Sequence, residues 1–213
     1  MSGRLERMRA GYWLSALASG GALAAFTWIL ASDEVVEFDL WSPTPFFALA
    51  WRMDTLGAFF GAVVAIVGLF ASVFAVRYSH PRPLDDAAYP VFLLSMFGVA
   101  GAGNVFTFFL MWESMALTSF LLVLGEGDSH PRRTAALLYL GMTHVATVFA
   151  IASLLLVSEA AGSQEFGAMG LADAGPSSRM SLALVLALVG FGTKAGLVPL
   201  HEIGRASCRE RVL

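Results

Sequence analysis

The chain has 213 residues, 57% of them hydrophobic and only 14% charged, with a formal net charge of −3. A soluble domain averages about 45–50% apolar and about 25% charged, which excludes a disordered tail, a nucleic-acid binder with a basic face and a disulfide-rich secreted module. The single cysteine, Cys208, cannot close an internal disulfide.

Taken in chain order, the runs 10–32, 55–76, 87–112, 114–125, 134–158 and 180–193 contain no Asp, Glu, Lys or Arg. A helix crosses a bilayer with roughly 20 mainly apolar residues. Six spans are therefore predicted, at 11–31, 55–77, 86–102, 105–124, 134–157 and 180–200. The third and fourth form one apolar block too long for a single span. Gly101, Ala102, Gly103 and Asn104 permit a tight turn there and divide it. The first span is no signal peptide, because its apolar run is too long and no polar cleavage region follows. A soluble bundle with buried helices is the bland alternative, and six such runs in one chain argue against it.

Between the first two spans, residues 35–41 alternate apolar and acidic side chains, Pro43 and Pro45 mark a turn, and residues 46–51 follow as a second apolar stretch. This reads as a small hairpin or as an irregular loop with aromatic interface anchors. The expected fold class is all-α, a polytopic transmembrane helical bundle of about six helices with a small outer-face hairpin. Arg4, Arg7, Arg9, Arg77, Arg82, Arg132 and Arg133 fall in alternate connecting segments, whereas the opposite segments hold only Arg52 and Arg179. The positive-inside rule then places the N-terminus in the cytoplasm.

Three ionisable residues interrupt the spans. Glu113, His144 and Lys194 lie about 12, 15 and 21 Å along their helices at about 1.5 Å per residue. An Asp, Lys or Arg at a bilayer centre costs at least about 2.5–3.5 kcal/mol, so such residues face an interior and pair with one another. Burial disfavours the charged form of either member of a Glu–Lys pair, and proximity favours it. A pair whose separation changes is thus a proton switch. A static ion pair locking two helices is the simpler reading of Glu113 and Lys194. A hydrogen bond to a neighbouring helix is the simpler reading of His144, which Thr143 and Thr147 flank. Pro199 has no N–H for the Ala195 carbonyl, and Gly192 and Gly196 flank the lysine. This predicts either a broken helix of the kind transporters use or a helix end at the inner surface. No metal ligands are assigned.

With these residues named, a resemblance is specific. Residues 108–115, which contain Trp112 and Glu113, resemble the glutamate helix of the antiporter-like subunits of respiratory complex I and membrane hydrogenases. Residues 192–201, from Gly192 through Lys194 and Pro199 to His201, resemble their broken lysine helix. Gly141 to His144 and Arg52 to Leu56 also fit, and in detail the chain is most similar to the hydrogenase-4 component B (formate hydrogenlyase subunit 3) type. The resemblance covers about residues 5–201.

It implies a proton-translocating subunit of the bacterial inner membrane, with no redox cofactor of its own. Fe–S, Ni–Fe or quinone chemistry is expected in partner subunits, and lipid, protons and those subunits are the expected partners, with no nucleic acid among them. By the same resemblance Glu113 tunes Lys194, His201 is the family histidine after the proline, and His144 and His201 are possible relays. The six spans correspond to family helices two to seven, so further helices are expected on both sides of this partial domain, 1–201. A stand-alone Mrp-type Na⁺/H⁺ antiporter subunit shares the same glutamate and lysine. A structural scaffold has no use for the central charges. A retinal protein needs a carboxylate one turn before the lysine, where Gly190 stands.

Residues 202–213 depart from the resemblance. Their codons, written in one frame, resemble a widely used short-read sequencing adapter, and the tail is read as adapter-derived rather than native. A genuine basic cytoplasmic tail is the alternative, and sequencing the locus from fresh genomic DNA decides between them. Without this tail the formal charge is −4 and the cysteine is gone, because Arg205, Arg209, Arg211, Glu202, Glu210 and Cys208 all lie within it.

Overall fold

The computed structural model describes residues 10–44, 47–78, 83–125, 130–169 and 177–196. Pro199, His201 and the tail 202–213 lie outside these residues. Among the described residues there are six helices, α1 (Ala10–Ser32), α2 (Thr55–Tyr78), α3 (Pro83–Ala100), α4 (Val105–Gly125), α5 (His130–Ala161) and α6 (Ser178–Ala195). Two strands, β1 (Val36–Thr44) and β2 (Phe47–Met53), form an antiparallel hairpin between α1 and α2. The chain divides into two compact units, 1–126 and 127–213.

In the first unit the sequence explains the element ends. Asp33 takes a left-handed φ of 54° and its N–H bonds the Ile29 carbonyl, which stops α1. The Asp33 carboxylate then accepts a hydrogen bond from Thr55 Oγ1 at 2.6 Å, joining the end of α1 to the start of α2. Asp54 caps α2 by accepting the Gly57 N–H at 2.8 Å. Asn104 caps α4 in the same way through the Thr107 N–H at 2.8 Å.

The hairpin pairs Val36 with Met53, Glu37 with Arg52 and Phe38 with Trp51, and its register shifts after Asp39. The Glu37–Arg52 ion pair and the stacked Phe38 and Trp51 rings, 6.0 Å apart, lie on adjacent pairs. The alternation seen in residues 35–41 is therefore a true strand rather than an irregular loop. Its second strand docks on the α3–α4 turn. Arg52 N–H bonds the Gly101 carbonyl at 2.9 Å, Gly103 N–H bonds the Ala50 carbonyl at 2.9 Å, and Asn104 Nδ2 bonds the Ala48 carbonyl at 2.8 Å. Glycine is required at 101 because a Cβ there would run into the Trp51 ring.

Helix directions follow from who meets whom. Phe26 of α1 meets Gly61 of α2, and Ser19 meets Gly68 further along, so these helices are antiparallel. Tyr12 meets Tyr89 and Phe26 meets Phe97, so α1 and α3 are parallel. The apolar core gathers Phe26, Ile29, Met53, Ala58, Ala65 and Phe97 at the hairpin end.

Five helices are long and apolar enough to cross a membrane, and α3 is not among them. It begins at Pro83, three residues before the predicted span, and carries Asp85 and Asp86 in its first turn and Pro90 within. Aspartates are favoured at a helix N-terminus by the dipole, and they dilute the apolar count. Connectivity nevertheless makes α3 a crossing. The hairpin lies between α1 and α2, α2 carries the chain away from it, and α3 returns the chain to it at Gly101. Burial is inverted relative to a soluble bundle. Ser19, Ser72, Ala58, Ala65 and Ala116 are fully buried, while Phe60, Val67, Phe70 and Phe74 of α2 and α5 residues such as Leu138 and Val148 are exposed. Small residues inside and large apolar residues outside are what lipid as solvent selects. The chain is a multi-pass membrane protein.

In the second unit α5 and α6 form an antiparallel pair. Ala146 and Ala150 meet Gly190, Ser153 Oγ donates to the Ala183 carbonyl at 2.8 Å, and Tyr139 meets Lys194. A Cβ at Gly190 would stand 2.5 Å from the Ala150 nitrogen, so glycine sets how closely the two backbones approach. Ser177 caps α6 by accepting the Met180 N–H at 3.2 Å.

Candidate functional site

Glu113 belongs to the first unit. It lies eight residues into α4, partly buried, with one carboxylate oxygen fully shielded from solvent. Its neighbour Trp112 packs on Phe108 with ring centroids 5.2 Å apart. The next hydroxyls along α4 are turned onto their own helix. Ser114 Oγ donates to the Leu110 carbonyl at 2.8 Å and Thr118 Oγ1 to the Ser114 carbonyl at 2.6 Å.

Lys194 belongs to the second unit and sits in the last turn of α6, partly buried. A cation there is favoured by the helix dipole. Its Nζ stands 5.9 Å from the centre of the Tyr139 ring, within the range of a cation–π contact. The helix stops at Ala195. Gly196 takes a left-handed conformation (φ 73°, ψ 30°), and its N–H turns back to the Gly192 and Thr193 carbonyls. The helix end beside the lysine is thus made by Gly196, three residues before Pro199 in sequence. Gly192 stays helical and buried, and supplies a carbonyl to the cap.

His144 lies on α5, five residues after Tyr139. Its Nδ1 is 2.9 Å from the Leu140 carbonyl, which can only accept, so Nδ1 carries the proton. This bond stays within α5 rather than crossing to a neighbouring helix. The flanking hydroxyls also turn onto α5, Thr143 to Leu140 and Thr147 to Thr143, each at 2.9 Å. Tyr139 is the residue that reading for charges passes over. Its signal was a tyrosine in an apolar span, one of only four in the chain.

Residues 102–202 match the family described as NADH:quinone oxidoreductase/Mrp antiporter, TM. The chain belongs to the antiporter-like membrane subunits. The matched residues include Glu113, His144, Lys194, Pro199 and His201. An uncharacterized protein of Mycobacterium tuberculosis (strain ATCC 25618 / H37Rv) is 40% identical over 154 residues, 70% of this chain and 23% of its own length. Hydrogenase-4 component B of Escherichia coli (strain K12) is 30% identical over 165 residues, 75% of this chain and 24% of its own. The Mrp complex from Dietzia sp. DQ12-45-1b shares the fold, with a TM-score of 0.75 over 92% of this chain and 38% of that chain, at 22% identity. The chain spans about a quarter of the length of the curated relatives it matches. As an antiporter-like segment, it carries Glu113 on α4 and Lys194 in the last turn of α6.

Proposed function

We propose that this chain is part of a proton-translocating subunit of a hydrogenase or NADH–quinone oxidoreductase type of complex in a bacterial inner membrane, coupling electron transfer to proton pumping. The observation that carries it is Lys194, held over an aromatic ring in the last turn of a helix that a left-handed Gly196 ends. A lysine so placed holds its proton when a carboxylate is near and yields it when the carboxylate is not. Glu113 is the proposed carboxylate, His144 and His201 the proposed relays, and Gly196 with Pro199 the proposed hinge. On this reading Glu113 and Lys194 act as a switch rather than a static lock. The subunit brings no redox cofactor on this reading, and Fe–S, Ni–Fe or quinone chemistry belongs to partner subunits.

The test is proton uptake into inverted vesicles bearing the full-length protein in its complex. Lys194→Ala and Glu113→Gln should each impair uptake while assembly is largely kept. Wild-type rates in both variants would overturn the assignment. The family description covers Mrp antiporters as well, so a second reading is a Na⁺/H⁺ antiporter subunit. Sodium-driven pH changes without electron transfer, and a locus lacking hydrogenase or quinone-oxidoreductase genes, would favour it.

A further inference from the structure

The half of the α1–α2–α3 group away from the hairpin buries a polar row among the apolar Ala16, Val76, Ala88 and Leu93. The row Gly11, Ser15 and Ser19 is buried on α1 and spaced by one helical turn. Across from it, Ser72 Oγ and Tyr89 Oη lie 3.0 Å apart, and both hydroxyls donate to the Gly68 carbonyl, at 2.6 and 3.4 Å. Gly68 lies directly beside Ser19, since a Cβ there would stand 3.0 Å from Ser19 Oγ. The seam begins where Asp86 accepts the Gly11 N–H at 3.1 Å, next to Asp85 and beside the paired Tyr12 and Tyr89 rings. It ends at the apolar cluster of Phe26, Ile29, Met53 and Phe97. Ser19 lies nine residues into α1, a depth of about 14 Å at 1.5 Å per residue.

Two hydroxyls in this seam stand apart. Ser72, Thr118, Thr147 and Thr193 each donate to the carbonyl four residues back. Ser15 and Ser19 are 5% and 0% exposed, and neither Oγ has a hydrogen-bond partner among the described residues. A buried polar group without a partner is rare and calls for one. One turn of helix sets the two Cβ atoms about 5–6 Å apart, a span that a single water molecule bridges with ordinary hydrogen bonds.

We propose that water occupies this seam, bridging Ser15 and Ser19, and that the seam is an inlet: a proton entering at the Asp85–Asp86 end shifts along the hydroxyl–water chain, and one leaves from the Ser19 end to a deeper water or carboxylate of the full complex. Water suits the site because each hydroxyl offers both a donor and an acceptor, and a hydroxyl–water chain passes a proton without any fixed charge at Ser19. The transport half of the inference rests on the proton-pump reading above. The hydration half does not.

Two measurements on the full-length protein in its complex test it. A cryo-EM map detailed enough to show water should place an ordered molecule within hydrogen-bonding distance of both hydroxyls. A dry seam, with both hydroxyls turned onto the Gly11 and Ser15 carbonyls, overturns the proposal. The Ser15→Ala/Ser19→Ala double variant should take up protons severalfold more slowly while assembling normally, and wild-type uptake overturns the inlet. Lys194→Ala run beside it separates the two claims. A loss in Lys194→Ala alone removes the inlet and leaves the pump reading standing, whereas no loss in either removes both.

Discussion

Lys194 shows how much one residue's chemistry depends on a neighbour far away in sequence. A cation over an aromatic face is stabilised by about 0.5–2 kcal/mol, and the face belongs to Tyr139. The ring rather than the hydroxyl makes that contact. Tyr139→Phe should therefore keep proton uptake near the wild-type rate, and Tyr139→Leu should lower it severalfold. Equal uptake in the Leu variant would show that the ring contact does no work in transport. His144 is the contrasting case. Its Nδ1 proton is committed to the Leu140 carbonyl, so any relay through this residue uses Nε2.

At the scale of elements, two contacts hold secondary structures together through residues with no charge. Gly190 lets α6 lie against Ala146 and Ala150 of α5. Gly190→Leu should destabilise the protein by about 1–3 kcal/mol or more, since overpacking a close backbone contact strains both helices, and thermal unfolding in detergent reads this directly. Asn104 has two duties, capping α4 at Thr107 and holding the Ala48 carbonyl of the hairpin. Asn104→Ala should cost about 0.5–2 kcal/mol for the cap and speed amide hydrogen exchange in β2. Unchanged exchange there would mean that the two neighbouring backbone bonds suffice. The Gly101 to Asn104 turn was legible as a break in an apolar block. Its docking on β2 was not, because pairing across about fifty residues leaves no local signature.

For the whole molecule, connectivity decides what apolar counting left open. The hairpin and the α3–α4 turn touch, so α3 must cross, although its Asp85 and Asp86 keep it outside the five clearest spans. With Cys208 replaced by serine, Arg77→Cys and Leu84→Cys should react with an impermeant thiol reagent from one side of the membrane and Asp39→Cys from the other. On the arginine bias, the first two are expected to react from the cytoplasmic side. Labelling of Asp39→Cys and Leu84→Cys from the same side would remove α3 as a span.

The sequence by itself determined the rough limits of the apolar runs, the turn in the long apolar block and the three ionisable residues that interrupt those runs, and it offered the hairpin beside an irregular loop. It could do so because lipid rejects charge and unpaired backbone, which writes each crossing as a local run. Tertiary structure alone decided that Tyr139 faces Lys194, that Gly196 rather than Pro199 ends the lysine helix, and that Ser15, Ser19, Gly68 and Tyr89 line one seam. These depend on which helix faces meet, and in a chain apolar nearly all round, no periodicity marks the face that will be buried.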